Sequence, residues 1–168
     1  MEQLIEHITQ TQNISLQQLD YLLNTDDRDL IEKLRKVAQE TAQSVYGNKI
    51  FIRGLIEFTN YCKNDCYYCG IRKSNRCVDR YRLEKETILA CCCQGYELGF
   101  RTFVLQGGED MFFTDDYVCE IVSSIKKNYP DCAVTLSIGE RSRESYQRFR
   151  DAGADRYLLR HETANMYH

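Results

Sequence analysis

Apolar residues at the start of the chain recur at the spacing of amphipathic helices. The pattern predicts a short first helix, a second that begins after the cap Ser15, and a third that begins at Asp26 and Asp27 and ends at Gly47. Their apolar stripes are Leu4, Ile5 and Ile8, then Leu16, Leu19, Leu22 and Leu23, and finally Leu30, Ile31, Leu34, Val37 and Ala38. Residues 1–48 are therefore predicted to form an N-terminal helical segment.

The pattern changes at Lys49, where short apolar runs begin to alternate with helical segments. Runs with little polar alternation that are joined by helices are typical of a parallel sheet. Strands are predicted at residues 50–58, 102–105, 132–136 and from 157 onwards, and helices at 84–98, 115–128 and 142–152.

The order β-α-β-α-β-α-β predicts an α/β fold, the N-terminal half of a (βα)-barrel of the TIM-barrel type, over residues 49–168. An open α/β sheet is the alternative. A complete barrel needs roughly 250 residues. We therefore expect the chain to be truncated after its fourth strand, either as a fragment or as one half of a split protein.

Composition excludes several classes of protein. The net charge is −3, so no basic excess indicates binding to nucleic acid. No apolar run approaches the roughly 18–20 residues of a membrane span and the first residues do not resemble a signal peptide, so we expect a cytoplasmic protein without membrane contact. Nine cysteines, an odd number that includes the consecutive residues 91–93, favour reduced thiols and a metal site over disulfides.

Polar residues follow each of the four predicted strands. They occupy residues 59–69, 106–110, 137–140 and 160–163. In parallel α/β folds the carboxyl ends of the strands meet at one edge of the sheet, where active sites lie. The four segments are therefore predicted to form one site.

The segment C-K-N-D-C-Y-Y-C-G places Cys62, Cys66 and Cys69 on one loop. A zinc site usually needs four ligands, a thioredoxin-type pair would use only the last two cysteines, and a ferredoxin-type cluster uses four thiolates. Three thiolates can instead hold three irons of a 4Fe–4S cube and leave the fourth iron open, and a loop of unrelated buried cysteines is the alternative. The other cysteines are predicted to be structural: Cys77, Cys91, Cys92, Cys93, Cys119 and Cys132.

The C-x3-C-x2-C loop after a first strand, with an aromatic residue before its third cysteine, resembles the signature of radical S-adenosylmethionine (SAM) enzymes. In that family the amino and carboxylate groups of SAM chelate the open iron. The resemblance implies that Cys62, Cys66 and Cys69 hold a 4Fe–4S cluster, with Tyr68 near the adenine. Residues 106–109 are similar to the family's glycine-rich segment. The implied cofactor-binding residues are Tyr68, Gln106, Gly107, Gly108, Glu109, Ser137 and Glu162.

Charges at two further strand ends suit a zwitterionic ligand. Glu109 and the carbonyls beside the glycines can accept hydrogen bonds from an ammonium group. In the fourth strand, Arg160 and Glu162 are predicted to share one face with Leu158, and His161 to lie on the other face as a structural residue. If the first face points to the barrel axis, this cation and anion would hold the methionine part of SAM or a substrate carboxylate. An ion pair that only closes the top of the barrel is the alternative.

Longer stretches resemble one branch of the superfamily, the HydE family of FeFe-hydrogenase maturases. They include I-R-G-L-I-E-F-T-N-Y-C, R-Y-R-L, G-F-R-T-F-V-L-Q-G-G-E-D, L-S-I-G-E-R and R-Y-L-L-R-H-E-T. The resemblance implies an enzyme that cleaves SAM reductively to a 5′-deoxyadenosyl radical, which acts on an iron–carbonyl–cyanide–cysteine species during assembly of the hydrogenase cluster. It also implies that Arg160 and Glu162 are catalytic, that Glu162 contacts SAM, and that Arg160 and Thr135 line the substrate cavity.

The same resemblance implies a small-molecule or organometallic substrate, a reductant such as ferredoxin or flavodoxin, and contacts with other hydrogenase maturases. Another radical SAM enzyme, such as a methylornithine synthase or a biotin synthase-like enzyme, is the first alternative. A non-catalytic Fe–S electron carrier or redox sensor is the second. The chain by itself is expected to bind a cluster but to be unstable and inactive, because its fourth strand would be an exposed edge.

Overall fold

The structure, a computed structural model, describes residues 2–162 and 164. Thr163 and residues 165–168, at the end of the predicted barrel segment, lie outside the described residues. The chain divides into two units, Met1–Phe51 and Ile52–His168, whereas the sequence places the boundary between residues 48 and 49. Within the described part of the chain, no helix has the length and apolar content needed to cross a membrane.

The first unit contains the three predicted helices. They are α1 (Glu2–Thr11), α2 (Leu16–Asn24) and α3 (Arg28–Tyr46). Ser15 accepts a hydrogen bond from the backbone N–H of Gln18 and donates its own N–H to the Gln18 side chain, so α2 begins with a capping box. Asp27 caps α3 by accepting from two backbone N–H groups, and Gly47 ends that helix with a φ of +63°. The predicted helices and their caps are confirmed.

The second unit contains a parallel sheet and three further helices. The strands are β1 (Gly54–Thr59), β2 (Thr102–Gly107), β3 (Ala133–Ser137) and β4 (Arg156–Tyr157), and the helices are α4 (Lys85–Glu97), α5 (Asp115–Asn128) and α6 (Arg143–Asp151). The strands pair in the order β1-β2-β3-β4, each parallel to the next. This sequential order is that of a (βα)-barrel, whereas an open doubly wound sheet reverses its strand order. The predicted α/β half-barrel is confirmed.

A hydrophobic core lies between the sheet and the helices α4, α5 and α6. Alternate strand residues enter it, such as Ile56 in β1, Phe103 in β2 and Leu136 in β3. Ile88 of α4 and Val122 of α5 belong to the same core and are fully buried. Because the helices cover one face of the sheet, the strand residues that alternate with the core residues point to the opposite face.

The first strand is shorter than predicted. β1 begins at Gly54 rather than at Ile50, and the side chains of Ile50, Phe51 and Ile52 are exposed. Gly54 is the first residue in the ladder with β2 and pairs with Phe103, the second residue of that strand. The apolar run predicted a longer strand because hydrophobicity does not show where a partner strand begins.

The fourth strand ends at Tyr157, so residues 158–162 do not continue the predicted strand, although Leu158, Arg160 and Glu162 line one cavity as predicted. The ladder with β3 ends after Leu158. Leu158 and Leu159, which a strand would place on opposite faces, line the same cavity. Glu162 has a φ of +64°, in the left-handed region that strands do not use. Among the described residues no strand pairs with residues 159–162, and this segment leaves the extended conformation.

Candidate functional site

A cavity of about 460 Å³ lies at the carboxyl ends of the strands, where the sequence predicts a site. Segments that follow all four strands form its wall. The predicted site residues on this wall are Cys62, Cys66, Tyr68, Cys69, Gln106, Gly107, Gly108, Glu109, Ser137, Arg160 and Glu162. Thr135 is the predicted residue that the wall does not include. It is buried two residues before Ser137, on the same strand.

The loop with the three predicted cluster ligands runs along one side of the cavity. Cys62 and Cys69 are half-buried, Cys66 is exposed, and all three are free thiols. The Lys63 N–H donates to the carbonyl oxygen of Glu109 at 3.0 Å, which ties the loop to the segment after β2. Three thiols from one loop therefore reach a single cavity.

Two glycines let the segments after β1 and β2 approach each other. A Cβ atom on Gly107 would lie 2.6 Å from Cγ2 of Thr59, and one on Gly108 would lie 2.2 Å from the carbonyl oxygen of Tyr61. Both distances are far below van der Waals contact. The Gly-Gly pair therefore packs against the backbone that leads into the cysteine loop.

The Glu109 carboxylate is held by donors from two neighbouring loops. Lys63 Nζ and Asn64 Nδ2 each lie 2.9 Å from one of its oxygens, and the backbone N–H of Glu140 donates to it at 3.3 Å. Burial raises the pKa of Glu109, but these donors outweigh burial and leave the pKa below its ordinary value. A Cβ on Gly139 would lie 2.0 Å from Cγ of Glu109. Glu109 thus joins the cysteine loop to the segment after β3.

A row of polar side chains crosses the cavity face of the sheet. Gln106 donates from Nε2 to Glu57 Oε1 at 3.0 Å and accepts at Oε1 from Arg160 Nη2 at 2.8 Å. Glu57, Gln106 and Ser137 are paired in register on β1, β2 and β3. Glu57 is not among the predicted site residues, although an acidic residue within a mostly apolar strand is a signal that points to it.

Tyr68 and Glu162 meet at the mouth of the cavity. A hydrogen bond with the Glu162 carboxylate, followed by a smaller effect of desolvation, raises the pKa of Tyr68 to about 12. This contact brings the cysteine loop to the segment after β4.

Asp110 and Arg82 form an ion pair that the sequence does not predict. Arg82 donates to both carboxylate oxygens of Asp110, at 2.6 and 2.8 Å, and the Thr59 hydroxyl donates to the same carboxylate at 2.7 Å. The guanidinium also lies 4.0 Å from the ring centre of Tyr61 and 4.8 Å from that of Phe112. The pair therefore links the end of β1, the residue before Cys62 and the segment after β2.

The sequence model of the radical SAM superfamily matches residues 56–168, which include the cysteine loop and all four strand ends. The chain belongs to the radical SAM superfamily.

Individual relatives place it near two kinds of radical SAM protein. The chain is 46% identical over 143 residues to the FeFe hydrogenase maturase subunit HydE of Thermotoga maritima, a match that covers 85% of the chain and 40% of that protein. It is 31% identical over 160 residues to the 3-methylornithine synthase of Methanosarcina acetivorans, covering 94% of the chain and 45% of that protein. The crystal structure of HydG, a maturase of the FeFe-hydrogenase, matches with a TM-score of 0.86 and 30% identity over 97% of the chain and 37% of HydG. The chain spans less than half the length of each.

Radical SAM proteins generally use an iron–sulfur cluster and SAM, and the residues of the cavity fit this pair. The three free thiols line a cavity whose volume lies in the usual range for small-molecule sites. Among the described residues, no three His, Cys, Asp or Glu side chains are close enough to ligate one metal ion.

The remaining cysteines lie away from the cavity wall of this radical SAM domain. Cys92 and Cys132 are buried in the core, and burial raises the pKa of Cys92 to about 12. Cys77 and Cys93 are exposed. His161 is also exposed and is not part of the wall.

Replacing Gly108 by alanine is expected to displace the cysteine loop, because the new Cβ would also lie 2.7 Å from Cβ of Cys62. Overpacking of this kind lowers the free energy of unfolding by about 1–3 kcal/mol. The urea midpoint and the iron retained after anaerobic reconstitution should both fall. Gly70→Ala is the matched control, since nothing lies within 4 Å of a Cβ at that position. Equal behaviour of the two variants would contradict a role for the close approach at Gly108.

Proposed function

We propose that this chain is the cluster-binding half of a radical SAM enzyme that acts in maturation of the FeFe-hydrogenase active-site cluster. The observation that carries the proposal is the convergence of Cys62, Cys66 and Cys69, as free thiols, with the ends of four parallel strands at one cavity. Three thiolates on one loop suit a 4Fe–4S cluster with one open iron. The 46% identity to a HydE maturase favours this reaction among those of the relatives.

The proposed roles of the chain's residues are to hold the cluster and to orient SAM. When bound, the cluster and SAM supply the radical chemistry. Glu162 would offer an anion to the ammonium group of SAM's methionine part, and Tyr68, at the mouth beside Glu162, would face the adenine. The rest of the SAM-binding wall would be formed by Gln106, Gly107, Gly108, Glu109 and Ser137. Glu109 would act mainly by holding the loops, since its oxygens already accept from three protein donors.

The proposed substrate position lies between Thr135 and Arg160. The hydroxyl of Thr135 is buried, and its Oγ1 has no hydrogen-bond partner among the described residues. A buried hydroxyl without a partner costs roughly 1–3 kcal/mol. A polar group of a small-molecule or organometallic substrate that reached past Ser137 would satisfy it, while Arg160 would bind a substrate anion.

We also propose that further βα units complete the barrel, either from more of the same chain or from a second polypeptide. The chain spans less than half the length of its named relatives. In the described structure Leu158 and Leu159 are half exposed beside the cavity, where such units would pack. On its own the chain is expected to bind a cluster but to turn over little SAM. An electron donor such as ferredoxin or flavodoxin would approach the loop at its exposed thiol, Cys66.

Hydrogenase activation tests the proposed reaction. Apo FeFe-hydrogenase that is matured with the full-length protein and the other maturases is expected to become active, and omission of the protein should lower the activity to background. SAM should also change the EPR spectrum of the reduced cluster, because SAM would bind at the open iron.

The alternatives give different results in the same samples. SAM cleavage without hydrogenase activation would favour another radical SAM reaction, such as that of the 3-methylornithine synthase relative. A cluster whose EPR spectrum SAM leaves unchanged would favour a non-catalytic Fe–S carrier or redox sensor.

A further inference from the structure

Residues 60–83, between β1 and α4, form a long connection with almost no regular structure. Irregular segments of this length are uncommon within a domain and are usually functional. None of these residues is buried, so apolar packing contributes little to their order. The order of the connection therefore depends largely on hydrogen bonds within it and to the neighbouring strand.

Arg80 supplies four of these donors from one guanidinium group. Its Nη1 donates to the carbonyl oxygen of Asn60 and, at 2.9 Å, to that of Ile71. Its Nη2 donates to the carbonyl oxygens of Arg72 at 2.7 Å and Asn75 at 3.0 Å. The four hydrogens on the two terminal nitrogens are thereby all used.

The carbonyls bound by Arg80 flank the cysteine segment on both sides. Asn60 lies two residues before Cys62, and Ile71 lies two residues after Cys69. One nitrogen atom, Nη1, therefore joins the two ends of the segment that contains all three thiols. This link fixes the base of the loop and so limits how far the outer thiols can separate.

The backbone around Arg80 is itself fixed to β1. The Tyr81 N–H donates to Oδ1 of Asn60 at 2.8 Å, and the Tyr81 hydroxyl donates to the carbonyl oxygen of Glu57 at 2.9 Å. The Leu83 N–H donates to the carbonyl oxygen of Phe58 at 2.7 Å. The guanidinium is therefore presented from the rigid sheet, and the cysteine loop closes onto it.

We propose that Arg80 is a positioning residue for the iron–sulfur cluster, which it serves by closing the base of the loop that carries Cys62, Cys66 and Cys69. This inference rests on the proposed cluster-binding function of these cysteines and adds a residue outside the ligand set. The planar fork of the guanidinium carries the effect, since it directs N–H groups at four carbonyls at once. A lysine ammonium has the same charge but only three donors on a single atom.

Two substitutions in the full-length protein distinguish the geometry of the Arg80 guanidinium group from its positive charge. Arg80→Lys keeps the charge, and Arg80→Met keeps only an apolar stem. Both are expected to weaken iron retention against a chelator about 10- to 100-fold, the range for residues that support metal ligands. Both should also change the EPR spectrum of the reduced cluster in the presence of SAM. Arg76→Lys and Arg76→Met are the matched controls, because Arg76 is exposed in the same connection, and they should behave as the wild type.

Other results of these measurements would contradict different parts of the proposal. Wild-type retention in both Arg80 variants would overturn the inference. Wild-type iron retention in Arg80→Lys but not in Arg80→Met would show that the positive charge suffices. It would contradict the role proposed for the planar guanidinium group. Iron retention is measured at a temperature at which both apo-variants stay folded, and a loss that disappears there would assign Arg80 to general stability instead. A wild-type protein that binds no cluster would overturn the proposed function itself.

Discussion

Replacing Cys66 by serine is expected to abolish cluster binding. Iron in a cluster prefers thiolate, and the serine hydroxyl stays protonated near neutral pH. The loop offers three thiols in all, so the variant would keep only those of Cys62 and Cys69. Iron retention should fall by more than the roughly 100-fold that loss of a supporting residue can cause. Iron and sulfide per chain after anaerobic reconstitution measure the loss, and SAM cleavage by the full-length protein should fall to background.

Cys77→Ser is the matched control for that result. Cys77 lies in the same irregular connection and is exposed like Cys66, but it is not on the cavity wall. It should keep the iron content and the EPR spectrum of the wild type. A cluster that survived in Cys66→Ser, or one that disappeared in Cys77→Ser, would contradict the assignment of the ligands.

Elements with strong local signals could be predicted closely from the sequence. Helix α5 has its predicted bounds, residues 115–128; Pro130 follows its end, and in the structure Thr114 caps its start. Strand ends could not be predicted in this way. The start of β1 is set by its pairing with Phe103, and the end of β4 by the ladder with β3. Both depend on residues that are distant in the sequence.

Site residues that form a local sequence pattern could be predicted, whereas a residue whose contact is distant in the sequence was missed. Cys62, Cys66 and Cys69 form a local pattern, and the structure places all three on one wall. Glu57 lies on the same wall, and its side chain accepts a hydrogen bond from Gln106, 49 residues later in the chain. A register between strands brings these two side chains together, and a single sequence does not reveal that register.

For Glu109 the sequence predicts a carboxylate at the site, but it does not predict which donors bind that carboxylate. Its position after the glycine pair suggests an acceptor for an ammonium ligand. In the structure the Lys63 ammonium group lies 2.9 Å from the Glu109 carboxylate, and Asn64 and the Glu140 N–H are further donors. The carboxylate therefore connects the loops that surround the proposed SAM position.

Replacing Arg82 by glutamine is expected to lower the free energy of unfolding by about 3 kcal/mol, because a buried carboxylate loses its cation. The side chain of Asp110 is only 3% exposed, whereas that of Arg82 is 37% exposed. We expect the low end of the range for broken buried pairs, since the Thr59 hydroxyl and the Phe112 N–H still donate to Asp110. Urea unfolding at neutral pH measures the change.

Arg101→Gln is the matched control for the effect of burial. Arg101 pairs with Asp131 at 3.0 Å and lies 3.9 Å from the ring centre of Tyr96, much as Arg82 lies over Tyr61. The side chains of Arg101 and Asp131 are both about half exposed. Their ion pair should therefore contribute no more than about 1 kcal/mol to the free energy of unfolding. Equal losses in the two variants would show that burial of the carboxylate is not the cause.

The pH dependence of unfolding identifies the Asp110 carboxylate as the origin of the loss. Burial raises its pKa, but the hydrogen bonds from Arg82, Thr59 and the Phe112 N–H outweigh burial and leave the pKa below its ordinary value of 3.8. A carboxyl of this kind stabilises the fold above its unfolded pKa, and the stabilisation is lost as the pH falls through the lower folded pKa. In Arg82→Gln burial remains while the main donor is gone, so the Asp110 pKa should rise. The difference in unfolding free energy between wild type and variant should therefore be largest at neutral pH and shrink below about pH 4. A difference that stayed constant over this range would instead assign the loss to the contacts of Arg82 with the aromatic rings.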